Sequence, residues 1–178
     1  MILPASPIIS ATETFVDQII YIANSYQIAN LTKNEIDKLG FLVSGYDRKE
    51  YLSYLKYADY FYLHIVDGNV AGFILAYSDQ YIKENEWLNS KIKLNESESF
   101  VLIKQICVAR EYLGKGIAKK LYEFLFEQMV QFICYAVIVI EPLNLPSINF
   151  HEKLSFKKQF EDLPSDGLKR GVWRKAFK

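Results

Sequence analysis

Phe15, Ile19, Ile22, Tyr26 and Ala29 follow one another at intervals of four and three residues. That spacing lines one face of a helix, so an amphipathic helix is predicted, with Ser10 and Glu13 at capping-box spacing ahead of it. A second helix is predicted from about Asp47, where Glu50 completes the same kind of cap and Tyr51 and Leu55 face inward. Downstream the period changes to two. FYLHIV (Phe61–Val66), the turn Asp67–Asn69 and VAGFILAY (Val70–Tyr77) read as a β-hairpin. Ser78–Ser99 is polar and longer than a tight turn, with a helical piece expected around Tyr81–Leu88. Ser99–Ala109 reads as a strand, and Gly116–Phe132 as a helix with Ile117, Leu121, Leu125 and Met129 on one stripe. Ala136–Glu141 reads as a buried strand and Ser147–Leu154 as a short helix. Phe156–Glu161 and Gly171–Phe177 read as closing strands around a PSDG turn.

This order predicts an α/β (α+β) fold. It has a mixed, mainly antiparallel central sheet of about six to seven strands, a right-handed β-α-β crossover and helices on both faces. No linker composition interrupts the pattern, so residues 1–178 are expected to form a single domain. Apolar residues make up 51% of the chain, enough for a sizeable core. The 21 basic residues balance the 21 acidic ones, so charge points to neither a nucleic acid nor a membrane partner. Cys107 and Cys134 lie inside apolar runs and are expected as buried thiols; without a CxxC pair no thiolate metal site is expected. Phe132–Ile140, the longest apolar run, is too short to span a bilayer, and MILPASPII lacks the basic start of a signal peptide, so a cytoplasmic location is expected.

The chemistry concentrates in YLGKGIAKKL (Tyr112–Leu121), where glycines flank a lysine just before a helix. Helix N-termini present unpaired N–H groups, and glycine lets a phosphate approach them. The Walker A pattern is absent because Gly116, not Ser or Thr, follows Lys115. A dinucleotide fingerprint begins with Gly114 and Gly116 but meets Lys119 at its third glycine position; Glu141 could stand in for its ribose-binding acid. On these residues alone a nicotinamide-binding oxidoreductase stays open.

ICVAREYLGKGIAKKLYEFL (Ile106–Leu125) resembles the acyl-CoA-binding motif of the GNAT superfamily of N-acetyltransferases, [QR]xxGx[GA]. Gly116 and Ala118 match its fixed small residues, while Leu113 stands where Gln or Arg is usual. NLPSINFHEKLSF (Asn144–Phe156) is similar to the family's NxxSxxFYExLGF segment, with His151 at the tyrosine position and Ser155 at the last glycine. The resemblance covers about Phe61–Phe177.

It implies acyl transfer from acetyl-CoA to a primary amine, with no metal. The strands Ser99–Ala109 and Ala136–Glu141 would splay apart to admit the pantetheine arm against backbone groups of Ile106, Cys107 and Val108. The pyrophosphate would lie on the amides of Leu113, Gly114, Lys115, Gly116, Ile117 and Ala118. Asn144 and Ser147 would belong to the same cofactor site, with Phe150 packed on the arm, and the Val108 N–H would donate to the developing oxyanion. His151 occupies the position of the acid that eases thiolate departure. Glu141 is a base candidate, His64 and Tyr77 are lesser ones, and Gln105 and Lys104 stand where some relatives place a glutamate, so a water relay is also open. Tyr46, Tyr51, Tyr54, Tyr57, Tyr81 and Trp87 would supply an aromatic acceptor pocket for a small-molecule or peptide amine. A non-catalytic acyl-CoA-binding module and a homodimer are also compatible with the resemblance.

Overall fold

The computed structural model describes residues 8–43 and 45–177. Its centre is a seven-stranded sheet, in spatial order β1 (Ile8–Ser10), β2 (Tyr60–Val66), β3 (Asn69–Ser78), β4 (Val101–Val108), β5 (Ile133–Glu141), β7 (Lys169–Ala176) and β6 (Lys157–Asp162). Neighbours are antiparallel except β4 and β5, which run parallel. That parallel pair needs a crossover, supplied by helix α5 (Ile117–Gln128). Mixed sheet, crossover and helices on both faces agree with the pattern read from the sequence.

The helices α1 (Val16–Asn24), α3 (Arg48–Tyr57) and α4 (Trp87–Asn95) cover one face. They pack on Phe61, Leu63, Phe73, Leu75 and Leu102. On the other face, α5 and α6 (Leu145–Lys153) pack on Ala71, Ile74, Ala136 and Trp173. Alternation along β2 explains the division, since Phe61 and Leu63 face one core while Tyr60 and Tyr62 face the other.

Several local expectations are corrected. Ser10 caps no helix: it lies in β1, paired with Tyr62, and α1 begins only after a 3-10 turn at Glu13–Phe15. Strand pairing outcompetes a capping box there. The short helix α2 (Lys33–Leu39) was not anticipated, although its capping box, Thr32 with Glu35, is visible in the sequence. The Asp47–Glu50 cap forms as expected. The helix expected around Tyr81–Leu88 is displaced: α4 starts at Trp87, behind a 3-10 turn at Asp79–Tyr81. α5 stops at Gln128, which leaves Val130 and Phe132 exposed and lets β5 begin at Ile133. Among the described residues no helix is long and apolar enough to cross a membrane.

Candidate active site

One extra residue in β4 opens the site. Leu75 pairs with Gln105 but the next residue, Ala76, pairs with Ile103, so Lys104 is a bulge. β4 and β5 pair only from Val101–Ile103 against Cys134–Ala136; beyond that point the parallel strands separate. The bulge also resets which backbone groups face the gap. The Ala109 N–H donates to the Ala71 carbonyl at 2.9 Å, so by alternation Cys107 bonds to β3, while Ile106 and Val108 turn their amides toward β5. On the other wall, the Phe177 N–H donates to the Phe132 carbonyl at 2.8 Å, and the same alternation turns Val137 and Val139 toward β4.

The result is a cleft of about 680 Å³ running between β4 and β5. Four backbone positions along it, Ile106, Val108, Val137 and Val139, have lost their sheet partner across the gap. Both valines of β5 escaped the sequence reading, and only the register could have revealed them. Cys107 is corrected: its amide and carbonyl belong to β3, and its buried thiol, pushed up by desolvation, forms part of the wall. The Val108 carbonyl is taken by the Tyr26 hydroxyl at 2.7 Å, which leaves the Val108 N–H as its gap-facing group.

At one end lies the glycine loop. Gly114 and Gly116 adopt φ of +75° and +74°, left-handed conformations that favour glycine, and a Cβ on either would meet no atom within 4 Å. Gly116 is the N-cap of α5 and provides no side-chain cap, so the first amides of the helix remain open to an anion. The Ile117 side chain is buried against β3, leaving its amide as the group available at the loop. Lys115, within the same loop, rests its ammonium 4.9 Å from the centroid of the Tyr112 ring. Leu113 and Ala118 line the cleft.

Asn144 ties the cleft to the loop after α2. Its Nδ2 donates to the Phe41 carbonyl at 3.0 Å, while its Oδ1, in a residue only 5% exposed, has no partner among the described residues. Gly40, at φ +73°, makes room for it, since a Cβ there would come within 2.6 Å of that oxygen. A buried, unpaired acceptor beside unpaired strand backbone suits a ligand carrying amide N–H groups. The unpaired amide oxygen of Asn144, the gap-facing amides and the open glycine loop are groups of the kind that an acyl-CoA, with its pantetheine amides and its phosphates, would need. Phe150 and Ser147 also line the cleft.

His151 requires revision. Its Nδ1–H donates to the Ser147 carbonyl at 2.7 Å, and its Nε2 accepts from the Tyr122 hydroxyl at 2.7 Å. Burial pushes it down to about 4, so the ring is neutral and neither nitrogen is open to serve as the expected acid. Glu141 is also corrected as a base. It ends β5 beside β7, where it pairs with Lys169 at 3.3 Å, and it does not line the cleft. His64 lies buried on the α5 side of β2, away from the cleft.

The acceptor end was only partly anticipated. Tyr46 and Trp87 line it, whereas Tyr51 is fully buried and donates to Gln105 Oε1 at 2.8 Å. Tyr54 packs behind Tyr46, with ring centroids 5.2 Å apart, and Tyr57 lies between Tyr54 and the surface residue Tyr81. The group missed altogether is Glu86. It lines the cleft with 15% of its side chain exposed, accepts from the Tyr77 hydroxyl at 2.5 Å and from Asn89 Nδ2 at 2.6 Å, and lies 3.4 Å from Lys104 Nζ. Desolvation opposes its charge, but Lys104, Tyr77 and its other donors outweigh that and hold its carboxyl below the usual range. Tyr77 is thus a donor to a carboxylate, not a base.

This geometry is matched by comparison with known proteins. The acetyltransferase (GNAT) family matches residues 27–156, and the chain belongs to that family. Among solved structures, it is similar to a GNAT-family acetyltransferase from Streptococcus agalactiae 2603, with a TM-score of 0.69 and 19% identity over 97% of this chain and 95% of that one. It is similar to the ribosomal-protein-S18-alanine N-acetyltransferase of Escherichia coli, with a TM-score of 0.64 and 13% identity over 96% and 92%. A chain of the NatC complex bound to Gag peptide and CoA gives 0.67 and 16% over 97% and 98%. No curated protein sequence matches.

Proposed function

We propose that the protein is an N-acetyltransferase that passes an acetyl group from acetyl-CoA to a primary amine of a small molecule or peptide, within a single catalytic domain. The observation that carries this reading is the gap beyond Ile103 and Ala136, in a cleft lined by Asn144, whose buried Oδ1 is unpaired among the described residues. Family membership and a CoA-bound structural neighbour support it.

Acetyl-CoA supplies the activated thioester; the chain supplies position. Ile106, Val108, Val137 and Val139 turn backbone groups to the arm, and Asn144 accepts from one of its amides. The open amides at Gly114–Ala118 and the Lys115 charge hold the phosphates. The Val108 N–H is the preorganised donor where negative charge develops. His151 is a positioning residue: it bonds the carbonyl of Ser147 and the hydroxyl of Tyr122, and so anchors α6 against α5.

Thermal unfolding with acetyl-CoA, run beside a free-thiol assay over an amine panel, tests this. Stabilisation with amine-dependent thiol release is expected. Stabilisation without release from any amine would leave an acyl-CoA-binding module, and stabilisation by NADH but not by CoA would overturn the reading.

A further inference from the structure

The Glu86–Lys104 pair stands at the mouth of the gap, on the very residue that opens it. Lys104 is the bulge of β4, with 21% of its side chain exposed, and its ammonium also lies 5.9 Å from the centroid of the Tyr46 ring. Glu86 is braced from behind. Tyr77, Asn89 and Lys104 all converge on Oε2, whereas among the described residues Oε1 accepts only the longer bond from the Lys83 N–H, at 3.2 Å. An Oε1 lone pair therefore remains for a further donor, and Lys104, with three N–H groups, gives one to Glu86. The other carboxylate among the described lining residues, Asp166, is engaged by the Arg170 guanidinium through two bonds, of 2.8 and 2.6 Å.

A plain amine bound at Oε1 would set two cations on one carboxylate and leave the spare N–H groups of Lys104 unmatched. An acceptor with a carboxylate beside its amine has no such penalty, because it meets both charges at once. Resting on the acetyltransferase reading, we propose that the acceptor is a free α-amino acid, with Glu86 holding its ammonium and Lys104 its carboxylate. The aromatic wall of Tyr46 and Trp87 would then face its side chain. Both charged residues are binding and specificity groups in this proposal: the bound ammonium gives one proton to water, the neutral amine forms the C–N bond to the acetyl carbon as the C–S bond breaks, and its second proton leaves with CoA as the thiol.

The test uses matched acceptors: L-leucine, L-leucinamide, 3-methylbutylamine and a leucyl dipeptide, with the corresponding phenylalanine set. Acetyl-CoA-dependent thiol release is measured for each. For at least one set, kcat/KM is expected to be about tenfold or more higher for the amino acid than for its three analogues. Lys104→Met should bring the four within about threefold, Lys104→Arg should restore much of the preference, and Glu86→Gln should weaken every acceptor by about tenfold. Acetyl-CoA affinity, measured by calorimetry, should stay within about threefold in all three variants. Amines without a carboxylate, or the dipeptides, that perform as well as the amino acids would overturn the proposal, as would a preference that survives in a folded Lys104→Met. If no acceptor releases thiol, amino-acid binding to the CoA-saturated protein is measured instead, and its absence also overturns the proposal. Failure of the wild type to bind acetyl-CoA at all is a separate result, and it would overturn the broader acetyltransferase reading.

Discussion

The hydroxyl of Tyr122 lies 2.7 Å from Nε2 of His151, and Tyr122 is fully buried while His151 is 3% exposed. Because the Nδ1–H is committed to the Ser147 carbonyl, Nε2 is the acceptor and the phenol the donor. Tyr122→Phe removes the donor and strands a buried ring nitrogen. A loss of about 1–3 kcal/mol in unfolding free energy is expected from denaturant titration at neutral pH. An unchanged midpoint would mean that water replaces the phenol.

The same pair makes stability pH-dependent. Burial holds His151 at about 4 when folded, against 6.5 when unfolded. The unfolded chain thus binds the extra proton over that interval. This contribution to stability is complete above about pH 6.5, shrinks as the pH falls, and is lost by about pH 4, at a total of roughly 3 kcal/mol. Unfolding curves from pH 7 down to pH 4 should show a steeper decline for the wild type than for His151→Gln. Parallel declines would place the titration on other groups.

Asn144 and the glycine loop are proposed to hold different ends of the cosubstrate, so fragments separate them. Asn144→Ala should weaken CoA by about fivefold to tenfold, through loss of one buried hydrogen bond, and leave adenosine 3′,5′-bisphosphate almost unaffected. Calorimetry with both ligands checks this. Equal losses for the two would place Asn144 outside the pantetheine contacts.

Gly116→Trp acts at the other end. Its Cβ meets no neighbour, so the penalty in the free protein comes from the left-handed backbone, about 1–2 kcal/mol. The indole would stand before the open amides of α5, and both CoA and the bisphosphate fragment should lose more than about tenfold in affinity. Thermal unfolding in the absence of ligand checks that the fold survives. Undiminished fragment affinity would show that the phosphates lie elsewhere.

Local patterns determined much of this molecule. The period-two run from Phe61 to Tyr77 encodes its hairpin, because alternate side chains must reach two separate cores. The stripe Ile117, Leu121, Leu125 encodes the crossover helix, and glycines at 114 and 116 encode a loop that turns left-handed ahead of it. The short-range motifs that resemble the GNAT family were legible for the same reason: each is a contiguous backbone device.

What stayed hidden depends on neighbours distant in the chain. The strand at Ile8–Ser10 exists because β2 offers it an edge, and that pairing overrides the local capping signal at Ser10. The bulge at Lys104 appears only when β4 is laid against β3, yet it decides which amides face the gap. His151 has the motif position of an acid, but burial against Tyr122 and Ser147 leaves it neutral and occupied. Glu86 sits in a polar stretch with no motif at all. Tertiary structure alone sets it beside Tyr77 and Lys104, because burial of a carboxylate demands donors, and two of its donors come from strands β3 and β4.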